Sequence, residues 1–157
     1  MKPKELIYFK DVCFSYDSSH VILQDVNLQV PGGAPVCMLG PNGSGKSTFC
    51  QLMTGKLKPQ KGQIRVLGKP PEKIRSRVGY LPQSMPMDPA FPATVKDVVL
   101  SGRIGPRYIG NYSRKDHEVV DATLEALTIH SLADHRFSEI SGGQARRVLV
   151  ARAMVCE

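Results

Sequence analysis

One glycine-rich segment constrains the fold of this chain more than any other feature of its sequence. It has the pattern G-x-x-x-x-G-K-[ST] and reads Gly40, Pro41, Asn42, Gly43, Ser44, Gly45, Lys46, Ser47, Thr48. Its glycines allow positive φ angles, so that successive backbone N–H groups can point at one ligand. The pattern predicts a loop that cradles the β- and γ-phosphates, with a charge from Lys46 and a hydroxyl from Ser47 for Mg²⁺. A chance glycine-rich turn is the alternative.

The residues on either side of this loop favour phosphate binding over a chance turn. Residues 36–39 (VCML) form a short apolar run that predicts a buried strand. Residues 49–53 predict a helix that Gly55 would end, and the positive end of its dipole would face the loop. Strand, loop and helix in this order are the context that the motif requires.

Composition and charge exclude several classes of protein. The chain has 157 residues, of which 41% are hydrophobic, and this suits a globular domain. With no apolar stretch near the length of a membrane span and no visible signal peptide, the sequence predicts a soluble protein that reaches a membrane only through a partner. The net charge of +7 is spread along the chain, so we expect no direct binding of nucleic acid. The four cysteines lack a C-x-x-C pairing and are predicted to be reduced, buried thiols.

Hydrophobic periodicity predicts strands in the first half of the chain. Residues 6–16 and 21–30 are rich in β-branched and aromatic residues and are expected to pair antiparallel. Residues 63–67 alternate polar and apolar side chains, which indicates another antiparallel strand. Residues 78–83 predict a short strand that runs into a loop.

Helix-start signals dominate the second half. Thr94 and Ser113 each have the spacing of a capping box and are expected to open a helix. Ser141 is a natural N-cap for a third helix. Two glycines at the start of that helix, Gly142 and Gly143, leave N–H groups uncovered and indicate a second anion site, with a plain Ser-capped helix as the alternative.

Together these motifs resemble the ATP-binding subunit of ABC transporters. Residues 140–144 (ISGGQ) are similar to the family signature, with Ile140 for the usual Leu. The phosphate loop, Gln83 and the signature occur in the family's order and at its spacing, and the resemblance covers essentially the whole chain. Residues 91–103 (FPATVKDVVLSGR) resemble a segment found in cassettes for zinc, manganese or iron-chelate import.

The resemblance implies an α/β fold, a P-loop NTPase core with an N-terminal antiparallel β subdomain and an inserted helical subdomain. The chain would be one incomplete domain, with the β subdomain and core in residues 1–83, the helical subdomain in residues 84–140 and the signature helix in residues 141–157. It would end before the acidic, Walker B type strand that carries the family's catalytic Glu, and before its switch histidine. We therefore expect an N-terminal piece of a longer cassette or a truncated gene product, poorly stable alone.

The resemblance also implies roles for individual residues. Tyr16 would stack on adenine, where the alternative is an ordinary half-buried strand tyrosine. Gln83 would ligate Mg²⁺ beside Ser47, where the alternative is an ordinary surface residue. Lys46 and Gln83 are the candidate catalytic residues. The loop residues expected to bind ATP are Gly40, Pro41, Asn42, Gly43, Ser44, Gly45, Lys46, Ser47 and Thr48. The residues expected to contact ATP of a second subunit in trans are Ser141, Gly142, Gly143 and Gln144.

The implied function is ATP binding and hydrolysis by the intact protein, which powers transport and most specifically import of a metal ion. The implied partners are a membrane-spanning permease, a second ATP-binding subunit in a head-to-tail dimer and a substrate-binding protein, at the inner face of the cell membrane. Met85, Met87 and Phe91 would dock the permease or pack under the helical subdomain. Two alternatives stay open: a nucleotide-binding fragment without turnover, and a cassette ATPase that acts on ribosomes or nucleic acid.

Overall fold

The computed structural model describes residues 5–17, 20–81, 92–103 and 111–156. The chain divides into two compact units, Met1–Arg75 and Ser76–Glu157. The domain boundaries expected at residues 83 and 140 stay predictions. In the part of the chain that the structure describes, every helix is too short or too polar to cross a membrane.

The first unit is built on a three-stranded antiparallel sheet, as the periodicity of the sequence predicts. β1 (Glu5–Ser15) lies in the centre, between β2 (Val21–Pro31) and β3 (Lys61–Val66). β-branched and aromatic side chains dominate β1 because they pack well on a pleated, half-buried surface. The sheet therefore confirms the predicted pairing of the two N-terminal strands and adds the third strand on the other side of β1.

Phe9 anchors the core of this unit. It pairs with Leu28 on β2 and with Ile64 on β3, and its side chain is 1% exposed. Its ring stacks on Phe49 of helix α1 (Lys46–Met53), with centroids 4.4 Å apart. Since stacked aromatic side chains bury a large apolar area, this pair fixes α1 against the centre of the sheet.

One glycine is required by a close approach inside the sheet. The register of β1 shifts between Phe9 and Val12, and Asp11 takes a positive φ of 50° there. Gly62 has a φ of 84°, and a side chain at this position would collide with the carbonyl oxygens of Lys10 and Asp11. Only glycine lets β3 approach the irregular part of β1 so closely.

Three sequence predictions in these regions are wrong. Residues 36–39, expected to form a buried strand, form none, and Val36 and Leu39 are 65% and 88% exposed. A strand needs a hydrogen-bonded neighbour, and within the described residues neither β2 nor β3 pairs with this run. Of the strand expected at residues 78–83, the described residues 78–81 form none, and Gly79 lies against the backbone of Ala153. The cysteines are free thiols, but Cys37 is exposed and the other three are partly exposed.

The second unit is helical, as the helix-start signals in the second half of the sequence predict. Its helices are α2 (Val95–Leu100), α3 (Arg114–Ala126) and α4 (Gly142–Met154). The helix expected to open at Ser113 is confirmed as α3, and its Val120 and Leu124 are completely buried. The 3₁₀ turns of the described residues are Pro71–Lys73, Arg75–Arg77, Ser101–Arg103, His130–Leu132 and Phe137–Glu139.

A partly buried ion pair connects the ends of these helices. Arg103 Nε donates to Asp116 Oδ1 at 2.8 Å, at the start of α3, and Arg103 Nη1 donates to the carbonyl of Val155 at 2.9 Å, just after α4. Arg152 Nε of α4 donates to Ser101 Oγ at 2.9 Å. The chain following α2 is thus connected through side chains to both other helices of the unit.

Candidate functional site

The glycine-rich loop leads directly into α1. Gly43 and Gly45 take positive φ angles of 83° and 85°. This left-handed conformation is energetically unfavourable for residues that carry a Cβ atom. Gly45 is also the residue that precedes α1, and a Cβ there would lie 3.1 Å from Ile22 Cγ2 of β2. Two constraints, a left-handed backbone and a close neighbour, therefore require glycine at this position.

The start of α1 is open in a way that the other helix starts are not. Thr94, Ser113 and Ser141 each close a reciprocal capping box at the start of α2, α3 and α4. Among the described residues no side chain caps α1, and its first turn holds no acidic residue. Its first N–H groups and the positive end of its dipole therefore remain available to an anion.

Lys46 lies folded over the loop that it follows. Its Nζ donates to the carbonyl oxygens of Gly40 and Pro41, at 2.7 and 2.6 Å, and lies 3.4 Å from Ser44 Oγ. The ammonium group therefore sits among the loop residues that the motif assigns to phosphate. Phosphate oxygens would compete with these carbonyls for the same three N–H donors.

The next two hydroxyl residues differ in their surroundings. Ser47 is exposed at the start of α1, whereas Thr48 is buried. The hydroxyl oxygens of Thr48 and Tyr16 lie 3.1 Å apart and share a hydrogen bond. Tyr16 packs edge-on against the ring of Phe14, with centroids 5.0 Å apart, and remains 60% exposed. The structure thus brings Tyr16, the residue assigned to adenine, into contact with the helix that begins at the phosphate loop.

The expected magnesium ligands are placed only in part. Ser47 offers an exposed hydroxyl, and a single such ligand suits Mg²⁺, which keeps several water molecules and binds phosphate oxygens. Gln83 lies outside the described residues, as do Met85, Met87 and Phe91. In the described ranges no cluster of three His, Cys, Asp or Glu side chains could hold a metal ion.

The signature residues form the start of α4 in the second unit. Ser141 Oγ accepts from the N–H of Gln144 at 3.4 Å, and Gln144 Oε1 accepts from the N–H of Ser141 at 2.8 Å. The side chain of Gln144 is therefore engaged within the cap. Gly142 and Gly143 are exposed, and open space surrounds the position that a side chain would take at each of them. Their backbone is accessible to a large ligand or to another chain.

Sequence reasoning missed one residue beside Tyr16. No sequence pattern assigned a role to Gln60, but its side chain binds the backbone and the hydroxyl of Ser15. The available signal was a lone amide side chain three residues before the predicted strand 63–67, and the structure starts that strand at Lys61, directly after Gln60. Nothing in the spacing of these residues connects Gln60 with Ser15, which lies 45 positions earlier.

The α/β fold and the loop geometry define the class of P-loop nucleotide-binding proteins. The chain belongs to the ABC transporter family, whose model matches residues 23–157. It is similar to the structure of a nucleotide-free ATP-binding cassette from an ABC transporter, with a TM-score of 0.78 and 26% identity over 97% of this chain and 65% of that one. The predicted fold class and family are thereby confirmed.

Two curated relatives are metal-transport proteins. The manganese transport system ATP-binding protein MntB of Bacillus subtilis is 40% identical over 134 residues, which cover 85% of this chain and 54% of the relative. The zinc transport system ATP-binding protein TroB of Treponema pallidum is 39% identical over 135 residues, which cover 85% of this chain and 51% of the relative. The chain thus spans about half the length of these two relatives.

Proposed function

We propose that this chain is the nucleotide-binding part of an ATP-binding subunit whose ATP hydrolysis drives metal-ion import. The observation that carries the proposal is the start of α1, which is uncapped by any described side chain and follows a loop with two left-handed glycines. A triphosphate supplies the anionic oxygens that such a helix start favours. Lys46 would exchange the carbonyls of Gly40 and Pro41 for phosphate oxygens when the nucleotide binds.

Further residues would complete the nucleotide site. The exposed ring of Tyr16 would stack on adenine, and Ser47 and Gln83 would hold Mg²⁺, which neutralises phosphate charge when it is bound. The accessible N–H groups at Gly142 and Gly143 would contact ATP of a second subunit, with Ser141 and Gln144 closing the helix start between them. Such donors suit the charge that develops on a transferred phosphoryl group.

The metal-ion assignment rests on the relatives. Proteins named for manganese and zinc transport are about 40% identical to this chain over 134 and 135 aligned residues. The implied partners are a membrane permease, a second ATP-binding subunit and a substrate-binding protein, with the complex at the inner face of the cell membrane. ATP-dependent uptake of Mn²⁺ and Zn²⁺ into vesicles that carry the permease would test the cargo. Binding to nucleic acid that weakens as the salt concentration rises, without uptake, would favour the alternative cassette function.

The decisive test of the phosphate site is Lys46→Ala in the complete protein. Loss of charge-assisted hydrogen bonds to phosphate is expected to weaken Mg-ATP binding at least about tenfold, measured by isothermal titration calorimetry. Lys115→Ala is the matched control, because Lys115 is an exposed lysine on α3. Unchanged affinity of the Lys46 variant would contradict the assignment. Phosphate release from the purified 157-residue chain separates turnover from binding alone.

A further inference from the structure

The side chain of Tyr16 has two neighbours, Phe14 and Thr48, while the residue stays 60% exposed. Phe14, which is buried, contacts it edge-on, and Thr48 binds its hydroxyl at 3.1 Å. A ring that is fixed before the ligand arrives loses less conformational freedom on stacking, and this favours affinity. The position of the ring also depends on the backbone of the preceding residue, Ser15, which is the last residue of β1.

Gln60 fixes that backbone through three contacts. Its Oε1 accepts from the N–H of Ser15 at 3.1 Å and from Ser15 Oγ at 2.9 Å. Its Nε2 donates to the carbonyl of Ser15 at 3.3 Å. A side-chain amide that both accepts from and donates to one residue's backbone imitates a neighbouring strand.

The place of Gln60 in the sheet explains this contact. The ladder between β1 and β3 ends with Cys13 opposite Lys61. One residue further out, the N–H of Gln60 donates to the carbonyl of Cys13 at 2.9 Å, and its side chain then reaches Ser15. Gln60 therefore extends the hydrogen bonding of β1 beyond the first residue of β3, up to the residue directly before Tyr16.

We infer that Gln60 is a positioning residue for the nucleoside end of the ATP site, acting through Ser15 on the ring of Tyr16. The inference rests on the proposed function, because it requires Tyr16 to stack on the base. It assigns to Gln60 an effect on the base and none on the triphosphate, which the loop and Lys46 bind. The contact borders an open cleft of about 300 Å³ that Ser15 and Gln60 help to line, so water competes with it and the effect is moderate.

The test compares two probes, Mg-ATP and inorganic triphosphate with Mg²⁺, by calorimetry on the complete protein. Gln60→Ala is expected to weaken ATP binding by roughly threefold to tenfold, the equivalent of about one hydrogen bond, and to leave triphosphate affinity unchanged. Tyr16→Ala should show the same selectivity for ATP with a larger loss. Because Gln60 acts through Tyr16, adding Gln60→Ala to Tyr16→Ala should cause no further loss.

Two further variants complete the design. Gln63→Ala is the matched control, since Gln63 is an exposed glutamine on β3, and it should leave both affinities unchanged. Gln60→Glu keeps an acceptor for the N–H of Ser15 and loses the donor to its carbonyl, so an intermediate loss of ATP affinity is expected. It also provides a folded variant if Gln60→Ala fails to fold.

Several outcomes would overturn the role of Gln60. They are unchanged ATP affinity, an equal loss for ATP and triphosphate, and a loss that adds to that of Tyr16→Ala. Lys46→Ala separates these from a failure of the proposed function, because it should weaken both probes whatever Gln60 does. If Lys46→Ala leaves both affinities intact, the phosphate site itself is wrong.

Discussion

The two units of this protein differ in how many of their helix-start N–H groups are capped and how many of their apolar side chains are buried. In the described part of the helical unit, α2, α3 and α4 each begin with a capping box, and one cluster of buried side chains lies among them. In the sheet unit α1 begins without a side-chain cap among the described residues, and the apolar run 36–39 lies exposed. The unit that leaves more groups open is the one that carries the glycine-rich loop.

This difference indicates what each unit is built to do. A capped helix start has used its N–H groups and offers little to a ligand, whereas the start of α1 keeps them available. The signature at α4 combines both properties, because Ser141 and Gln144 close the cap while Gly142 and Gly143 stay exposed. The proposed ligand binding by the sheet unit would use a helix start that a side-chain cap would otherwise close.

The largest contrast is expected from one substitution made at two leucines. Leu124 in the helical unit is completely buried, whereas Leu39 in the sheet unit is 88% exposed. Leu124→Ala should lower the free energy of unfolding by about 2–5 kcal/mol, because it removes buried apolar surface and leaves a cavity. Leu39→Ala should change it by less than about 0.5 kcal/mol in urea-induced unfolding of the same 157-residue chain.

The stability change caused by Leu39→Ala shows whether residues 36–39 contribute to the stability of this chain. A loss similar to that of Leu124→Ala in the 157-residue chain would contradict the contrast between the units. A loss that emerges only in a longer form of the protein would show that residues outside this chain cover Leu39. Circular dichroism and tyrosine fluorescence should follow the transition, since the chain has five tyrosines and no tryptophan.

The same contrast explains which features could be predicted from the sequence. The capping boxes at Thr94 and Ser113 depend on residues three positions apart, so a local pattern is enough to predict them. The apolar run 36–39 has the composition of a buried strand, but a strand is defined by its neighbours, which composition does not specify. The contact between Gln60 and Ser15 joins residues 45 positions apart, which no local pattern could indicate.

A moderate effect is expected at Asp116, where the helical unit concentrates its polar contacts. Hydrogen bonds from Ser113 and the guanidinium of Arg103 lower the pKa of Asp116 from 3.8 to about 2. Because the folded-state pKa lies below that of the unfolded chain, the ionised carboxylate favours the fold above about pH 4, and this contribution is lost as the pH falls toward about 2. Asp116→Asn should therefore cost about 1–2 kcal/mol at pH 7 and progressively less below pH 4.

Urea-induced unfolding at pH 7, 4 and 2.5 would measure this dependence. Asp134→Asn is the matched control, because Asp134 is exposed in the same unit and the substitution removes the same charge. A stability loss at Asp116 that stays constant over this pH range would show that shape, and not the carboxylate charge, is responsible.

The smallest effect tests whether burial, and not the presence of an ion pair, determines the stability of the helical unit. Arg114 Nε and Glu118 Oε1 on α3 lie 2.9 Å apart, almost the same distance as in the Arg103–Asp116 pair. The side chains of Arg114 and Glu118 are 94% and 61% exposed, compared with 8% and 21% for Arg103 and Asp116.

Water and salt screen the exposed pair, and an arginine that precedes its glutamate is the less favourable order on a helix. Glu118→Gln should therefore change the free energy of unfolding by less than about 0.5 kcal/mol, and 1 M NaCl should remove even that difference. A loss as large as that of Asp116→Asn would mean that contacts at the exposed surface of α3 stabilise this unit as much as its interior does.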